Sequence, residues 1–202
     1  ISKICLRDPG ILMDLLESKH LFEVYPSDFY RKNLERVLTD FNHGSATDLT
    51  STNLTNQISV LQRLLRNFRQ REMVRFAWRD LSGRAALAEP MADLSAFAVA
   101  CIDWSLSVLY NLQCCVDGIP RAKNGSRQSL TVFGLGKLGG RELNFSSDID
   151  LIFAYPEAGE TDHPEKPHTN DAFFVRLARN LIKTLSEITP DGQVFRVDMR
   201  LR

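Results

Sequence analysis

The sequence predicts an α+β chain, with a helical segment over residues 1–118 followed by a strand-bearing segment over residues 130–202. Three observations carry this. Apolar residues recur at helical spacing from Ile11 to Leu112. Residues Asp117–Ser129 (DGIPRAKNGSRQS) mix Gly, Pro and charge with no apolar period, which marks a linker. Beyond it come short runs of strand character at Leu130–Phe133, Asp148–Phe153 and Val194–Leu201.

In order, Asp8 is placed to cap a helix whose first turn holds Pro9, leading into Ile11–Leu16. Ser27 caps a second, with Leu34, Val37, Leu38 and Phe41 at helical spacing and His43-Gly44 at its end. Gly44–Asn53, rich in Ser, Thr and Asn, reads as a loop. A long helix then spans Leu54–Leu81 and carries Arg63, Arg66, Arg69, Arg71, Arg75 and Arg79. These arginines read first as a solvated face whose stems cover apolar neighbours, the alternative being a basic surface toward a nucleotide or an acidic partner. Another helix starts near Pro90 and buries Leu94, Phe97, Cys101, Trp104, Val108 and Leu112. Pro156–His168 reads as an exposed, mobile loop in which His163 and His168 are ordinary loop residues. Thr169 or Asn170 caps a last helix with Phe174, Leu177, Leu181, Ile182 and Leu185 inward, and Pro190-Asp191-Gly192 turns the chain into the final strand.

Composition excludes some classes. The 25 basic and 25 acidic residues cancel, so nothing in the bulk charge favours nucleic acid. Cys5, Cys101, Cys114 and Cys115 show no metal-ligand spacing, and the Cys114-Cys115 pair reads as buried free thiols on a helix. No stretch reads as a membrane span and no signal peptide is visible, which points to a reducing, cytoplasmic setting. Starting at Ile1 and stopping at Arg202, the chain reads as part of something longer.

The chemistry concentrates in LTVFGLGKLGGRELNFSSDIDLIF, residues 130–153. Gly134, Gly136, Gly139 and Gly140 crowd around Lys137, a density that lets backbone turn sharply and approach a ligand. The Gly139 and Gly140 N–H groups are expected to open a short helical turn over Arg141–Leu143 and to cradle phosphate oxygens. Asp148 and Asp150, two apart on a strand, share one face about 6.5–7 Å apart. Like charges held at about 4 Å repel by roughly 4 kcal/mol at an effective dielectric of about 20, so such a pair calls for a cation. Oxygen-only donors suit Mg²⁺ or Mn²⁺. Asp198, between Arg196 and Arg200 on the charged face of the last strand, either belongs to a solvated edge or completes the metal site with guanidinium groups beside it. Ser147 is placed to donate to a phosphate or to cap the strand entry, and Lys137 and Arg200 to neutralise developing charge; for Arg202 solubility is the favoured role.

Gly139-Gly140, then Asp148-x-Asp150, then Asp198 resembles the DNA-polymerase-β-like nucleotidyltransferase superfamily, which implies a mixed sheet with flanking helices. The wording GKLGGRELNFSSDIDLIF with DGQVFRVDMRLR is similar to the bifunctional glutamine-synthetase adenylyltransferase/adenylyl-removing family, supported more thinly by RQREMVRFAW at residues 69–78. Asn144-Phe145 and the Arg196 ahead of Val197-Asp198 resemble the adenylyl-removing half; the other half tends to Gly-Tyr and a Glu at those places. The resemblance implies Asp148, Asp150 and Asp198 as metal ligands and catalytic carboxylates. It implies removal of AMP from a tyrosine of glutamine synthetase by orthophosphate, giving ADP, in nitrogen-assimilation control with the PII signal protein and glutamine. The rival readings are the ATP-using adenylyltransferase half, a nucleotidyltransferase acting on RNA or a small molecule, and a catalytically silent nucleotide-binding regulatory module.

Overall fold

Each half of the chain builds its elements from local chemistry that the sequence carries openly. The computed structural model describes residues 2–26, 28–42, 51–85 and 88–199. A short helix, α1 (Ser2–Arg7), precedes α2 (Pro9–Glu17), whose cap is Asp8 accepting from the Gly10 N–H at 3.1 Å, with Pro9 at the first position. Then follow α3 (Phe29–Asn42), α4 (Ser51–Leu81) and α5 (Ala88–Asp117). Residues 51–53, read from composition as loop, form the first turn of α4; the expected Ser27 cap, the His43-Gly44 stop and the rest of that loop lie outside the described residues.

α5 corrects one expectation. It is long and apolar enough to cross a membrane, with mean hydropathy 1.5 over an 18-residue window. Yet 61% of that window is buried, because α5 is the central helix against which α3, α4 and α7 pack. A helix surrounded by protein must be apolar on most of its circumference. Phe97, Cys101, Trp104 and Val108 are buried as expected, while Leu112 is half-buried, Cys114 half-buried and Cys115 exposed, so the adjacent cysteines are not a buried pair.

The second part contributes β1 (Thr131–Leu135), a four-residue turn of helix α6 (Gly136–Gly139), β2 (Ile149–Ala154), α7 (Asn170–Ser186) and the two-residue β3 (Val197–Asp198). The sheet order is β1-β2-β3, with β1 antiparallel and β3 parallel to β2, so it is mixed. The parallel pair needs a crossover, and α7 supplies it. Thr169 caps α7 by accepting from the Ala172 N–H at 3.2 Å, and Phe174, Leu177, Leu181 and Leu185 are buried. One apolar cluster runs through both parts, with Tyr30, Phe76, Phe97 and Trp104 joined to Leu130, Ile149, Phe174 and Leu181.

Two further expectations are corrected by tertiary contacts. The last strand is shorter than its alternation suggests, because Val194 and Phe195 are both buried and both donate their N–H to the Leu185 carbonyl. The loop after β2 is stitched down: Arg121 pairs with Asp162 at 2.7 Å, the Asn170 amide donates to the Arg121 carbonyl at 2.9 Å, and Thr161 is buried.

The α4 arginines are the largest departure from the solvated-face reading. Arg66, Arg75 and Arg79 are buried, and each has oxygen partners from elsewhere in the chain. Arg66 donates to the carbonyls of Glu187 (2.8 Å) and Gly192 (3.0 Å), and Gln70 donates to that of Asp191 (2.8 Å). In this way α4 holds the 189–192 turn that delivers β3 and Asp198 to the sheet. Arg75 has a wider set of partners, and Arg69 has no hydrogen bond or ion pair among the described residues.

Candidate active site

The core face of the sheet buries Ile149 and Leu151, leaving the alternate residues of β2 toward the open face. Register does the rest. Asp150 pairs with Leu135 on one side and with Asp198 on the other, so two aspartates stand side by side on neighbouring strands, which run about 4.8 Å apart. Both are half-buried. Asp148 lies just before β2, is exposed, and is gripped by the Arg196 guanidinium, which also donates to the Ser146 carbonyl at 3.2 Å. Arg196 reaches it because Ile149 pairs with Val197, which sets residues 148 and 196 side by side.

The glycine turn packs against this row. Gly136 has φ +53°, and a Cβ there would stand 2.7 Å from Asp150 Oδ2, so only a hydrogen lets the carboxylate lie against the turn. A Cβ on Gly139 would meet the Gly134 carbonyl oxygen at 2.7 Å, whereas one on Gly140 would meet nothing nearer than 3.5 Å. The helical turn ends at Gly139, with Gly140 as its C-cap, rather than opening after the pair. The Gly140 N–H is already donated to the Gly136 carbonyl (3.0 Å) and that of Arg141 to Leu138 (3.1 Å), and Arg141 itself sits at φ +58°. Gly136 is therefore the glycine on which the placement of Asp150 depends, and composition alone did not single it out. Gly136→Ala is expected to lower activity at least tenfold more than Gly140→Ala, measured as turnover of the two variants at equal folded concentration.

Ser147 caps the entry to β2: its hydroxyl donates to Asn144 Oδ1 at 2.9 Å and accepts from the Asn144 N–H at 3.2 Å. Asn144 Oδ1 also accepts from the Ser146 N–H and hydroxyl, so one side chain fastens the whole 144–147 turn that presents Asp148. The signal was there to find, an Asn followed by Ser-Ser at turn spacing. Lys137 is exposed on α6, and Arg200 lies outside the described residues.

Among the described residues no three carboxylate, imidazole or thiol groups converge closely enough to hold a metal ion as the side chains stand. The donor chemistry nonetheless suits a hard divalent cation, and register sets Asp150 beside Asp198. Asp148 is the member turned away, toward Arg196.

Carboxylates on two adjacent strands beside a tight glycine turn are the equipment of a nucleotidyltransferase, and comparison with known proteins agrees. The model of the glutamate-ammonia ligase adenylyltransferase family matches residues 1–202. The chain belongs to that family. Similar relatives, each named bifunctional glutamine synthetase adenylyltransferase/adenylyl-removing enzyme, occur in Nitrosococcus oceani (48% identity over 98% of this chain), Pseudomonas aeruginosa (44% over 100%) and Shewanella oneidensis (53% over 71%). The chain spans about a fifth of the length of these relatives or less, 19%, 19% and 15% respectively.

Proposed function

We propose that this chain carries the adenylyl-removing activity, in which orthophosphate displaces the modified tyrosine of glutamine synthetase from AMP. One observation supports this half over the ATP-using one. The two positions at which the sequence resembles the removing half, Asn144 and Arg196, meet at one place, beside Asp148. A guanidinium there favours an incoming phosphate dianion, and a glutamate there would repel it.

An oxygen of orthophosphate forms a bond to the phosphorus of the AMP–tyrosine diester, the bond to the tyrosine oxygen breaks, and that oxygen takes up a proton. The products are ADP and unmodified tyrosine. Asp198 is the position from which the attacking group is deprotonated or oriented. Asp148, Asp150 and Asp198 would hold Mg²⁺ or Mn²⁺, which supplies charge neutralisation at the phosphoryl oxygens. Gly136 keeps the Asp150 carboxylate against the turn, Asn144 and Ser147 hold the approach to Asp148, and Lys137 and Arg200 contribute positive charge at the rim. The setting is cytoplasmic, with glutamine synthetase as protein substrate and the PII signal protein acting through the rest of the enzyme.

The test uses the whole protein. Asp148→Asn is expected to abolish ADP formation from adenylylated glutamine synthetase and orthophosphate while sparing ATP-dependent transfer of AMP. Loss of the ATP-dependent reaction with ADP formation intact would assign this chain to the other half.

A further inference from the structure

Below the Asn144–Ser147 turn lies a cleft of about 200 Å³. Its polar lining is Asn144, Ser146, Ser147, Gln193, Arg196 and, from α4, Arg69. No carboxylate lines it.

Arg69 is unlike its neighbours on α4. Arg66, Arg71, Arg75 and Arg79 each reach a carbonyl or carboxylate, and Arg63 is exposed to water. Among the described residues Arg69 has no hydrogen bond or ion pair, and its Nε is buried without a partner. Burial lowers its pKa, with only the Cys101 thiol opposing. The residue is half-buried and lines the cleft, and a guanidinium partly withdrawn from water in this way is suited to an anion, which offsets its desolvation. Here the anion is not supplied by the described part of the chain.

We infer that Arg69, with Arg196 and the Asn144–Ser147 turn, forms a phosphate-binding cleft beside Asp148. That the bound group is the acceptor orthophosphate rests on the phosphorolytic reading above; a phosphoryl group of the nucleotide presents the same oxygens. Two guanidinium groups arrive there from different elements, Arg196 already paired with Asp148 and Arg69 with no such partner among the described residues, and together they suit a phosphate, whose oxygens point in several directions. The apolar wall of Met73, Leu94, Leu143 and Phe195 keeps the dielectric low and the attraction strong. The helical part thereby supplies a group to the reaction that the nucleotidyltransferase motifs do not contain.

The experiment is calorimetric titration of the whole protein with orthophosphate and, separately, with AMP, alongside thermal melting with and without each. In Arg69→Gln, affinity for at least one of the two is expected to fall tenfold or more, and the phosphate-induced rise in Tm to disappear. The ligand-free Tm is expected to stay equal or rise, because the substitution breaks no hydrogen bond or ion pair among the described residues and removes a partly desolvated charge; a merely structural arginine would lower it. Arg63→Gln is the control and should stay within twofold of wild type. Sensitivity of orthophosphate alone assigns the cleft to the acceptor, and sensitivity of AMP assigns it to the nucleotide. Affinities within twofold of wild type for both, in Arg69→Gln or, if that variant does not fold, in Arg69→Lys, overturn the inference. Should binding depend on Arg69 while wild type forms no ADP, the proposed function falls and the cleft stands; ADP formation with Arg69-independent binding gives the reverse.

Discussion

Asp150→Asn is expected to cut the rate of ADP formation by about a thousandfold or more while moving the thermal transition little. The substitution keeps shape and removes one negative charge at the middle of the row formed by Leu135, Asp150 and Asp198. Asp150 is the carboxylate packed against the glycine turn, and it lies in direct register with Asp198. Its loss therefore strikes both the link to the turn and the paired acid on β3. Binding and folding are read separately by calorimetry and melting, so that a purely structural role would show as a lowered Tm. A rate within tenfold of wild type at unchanged stability would remove Asp150 from the chemistry.

What the sequence made legible was mostly what is local. Asp8 and Thr169 cap their helices because the donors they accept from are two or three residues away, and any Asp or Thr at that place can do the same. The period of two was readable over 149–154, but the expectation that Asp148 shares a strand face with Asp150 is corrected: β2 begins at Ile149, and Asp148 stands before it, paired with Arg196. The relation of Asp150 to Asp198, 48 residues on, came from the family resemblance, and the structure gives it physical form as a parallel register. The arginines of α4 were illegible for the opposite reason. Helical spacing spreads them round the axis, and only partners at residues 20, 23, 89, 93, 187 and 192 decide which of them are buried. Likewise, polar composition made 156–168 look mobile because it cannot show that Asp162 meets both the Ile119 N–H and Arg121. Gly136 hid among four glycines, and what separates it from the rest is a carboxylate contributed by another strand.

The second large effect is expected at Arg75, which is wholly buried. Its guanidinium donates to the carbonyls of His20 (3.0 Å) and Glu23 (2.7 Å), to the Tyr30 hydroxyl (3.2 Å) and to Asp93 (3.1 Å), and it lies over the Tyr25 ring at 3.4 Å. It thus fastens the 20–30 segment to α4 and α5. Arg75→Ala removes all of these at once and leaves buried oxygens without donors, a loss of about 3–5 kcal/mol when one partner of a buried ion pair is deleted. For a chain of this size that corresponds to a fall in Tm on the order of 10 °C. The loss also carries a pH signature. Burial holds the Glu72 carboxyl up at about 6 against the opposing pull of Arg71 and Arg75, and raises Asp93 as well. A carboxyl whose folded pKa lies above its unfolded value binds its proton more tightly in the folded protein. Its contribution to stability is therefore greatest at low pH and declines as pH rises through the folded value. Without Arg75 the folded pKa of both acids climbs further, and that decline extends to higher pH. The stability gap between wild type and Arg75→Ala should accordingly be wider at pH 8 than at pH 5, as read from denaturant titrations at the two values. A gap that narrows with rising pH would mean that Arg75 acts through packing on Tyr25 rather than as the counter-charge of Glu72 and Asp93.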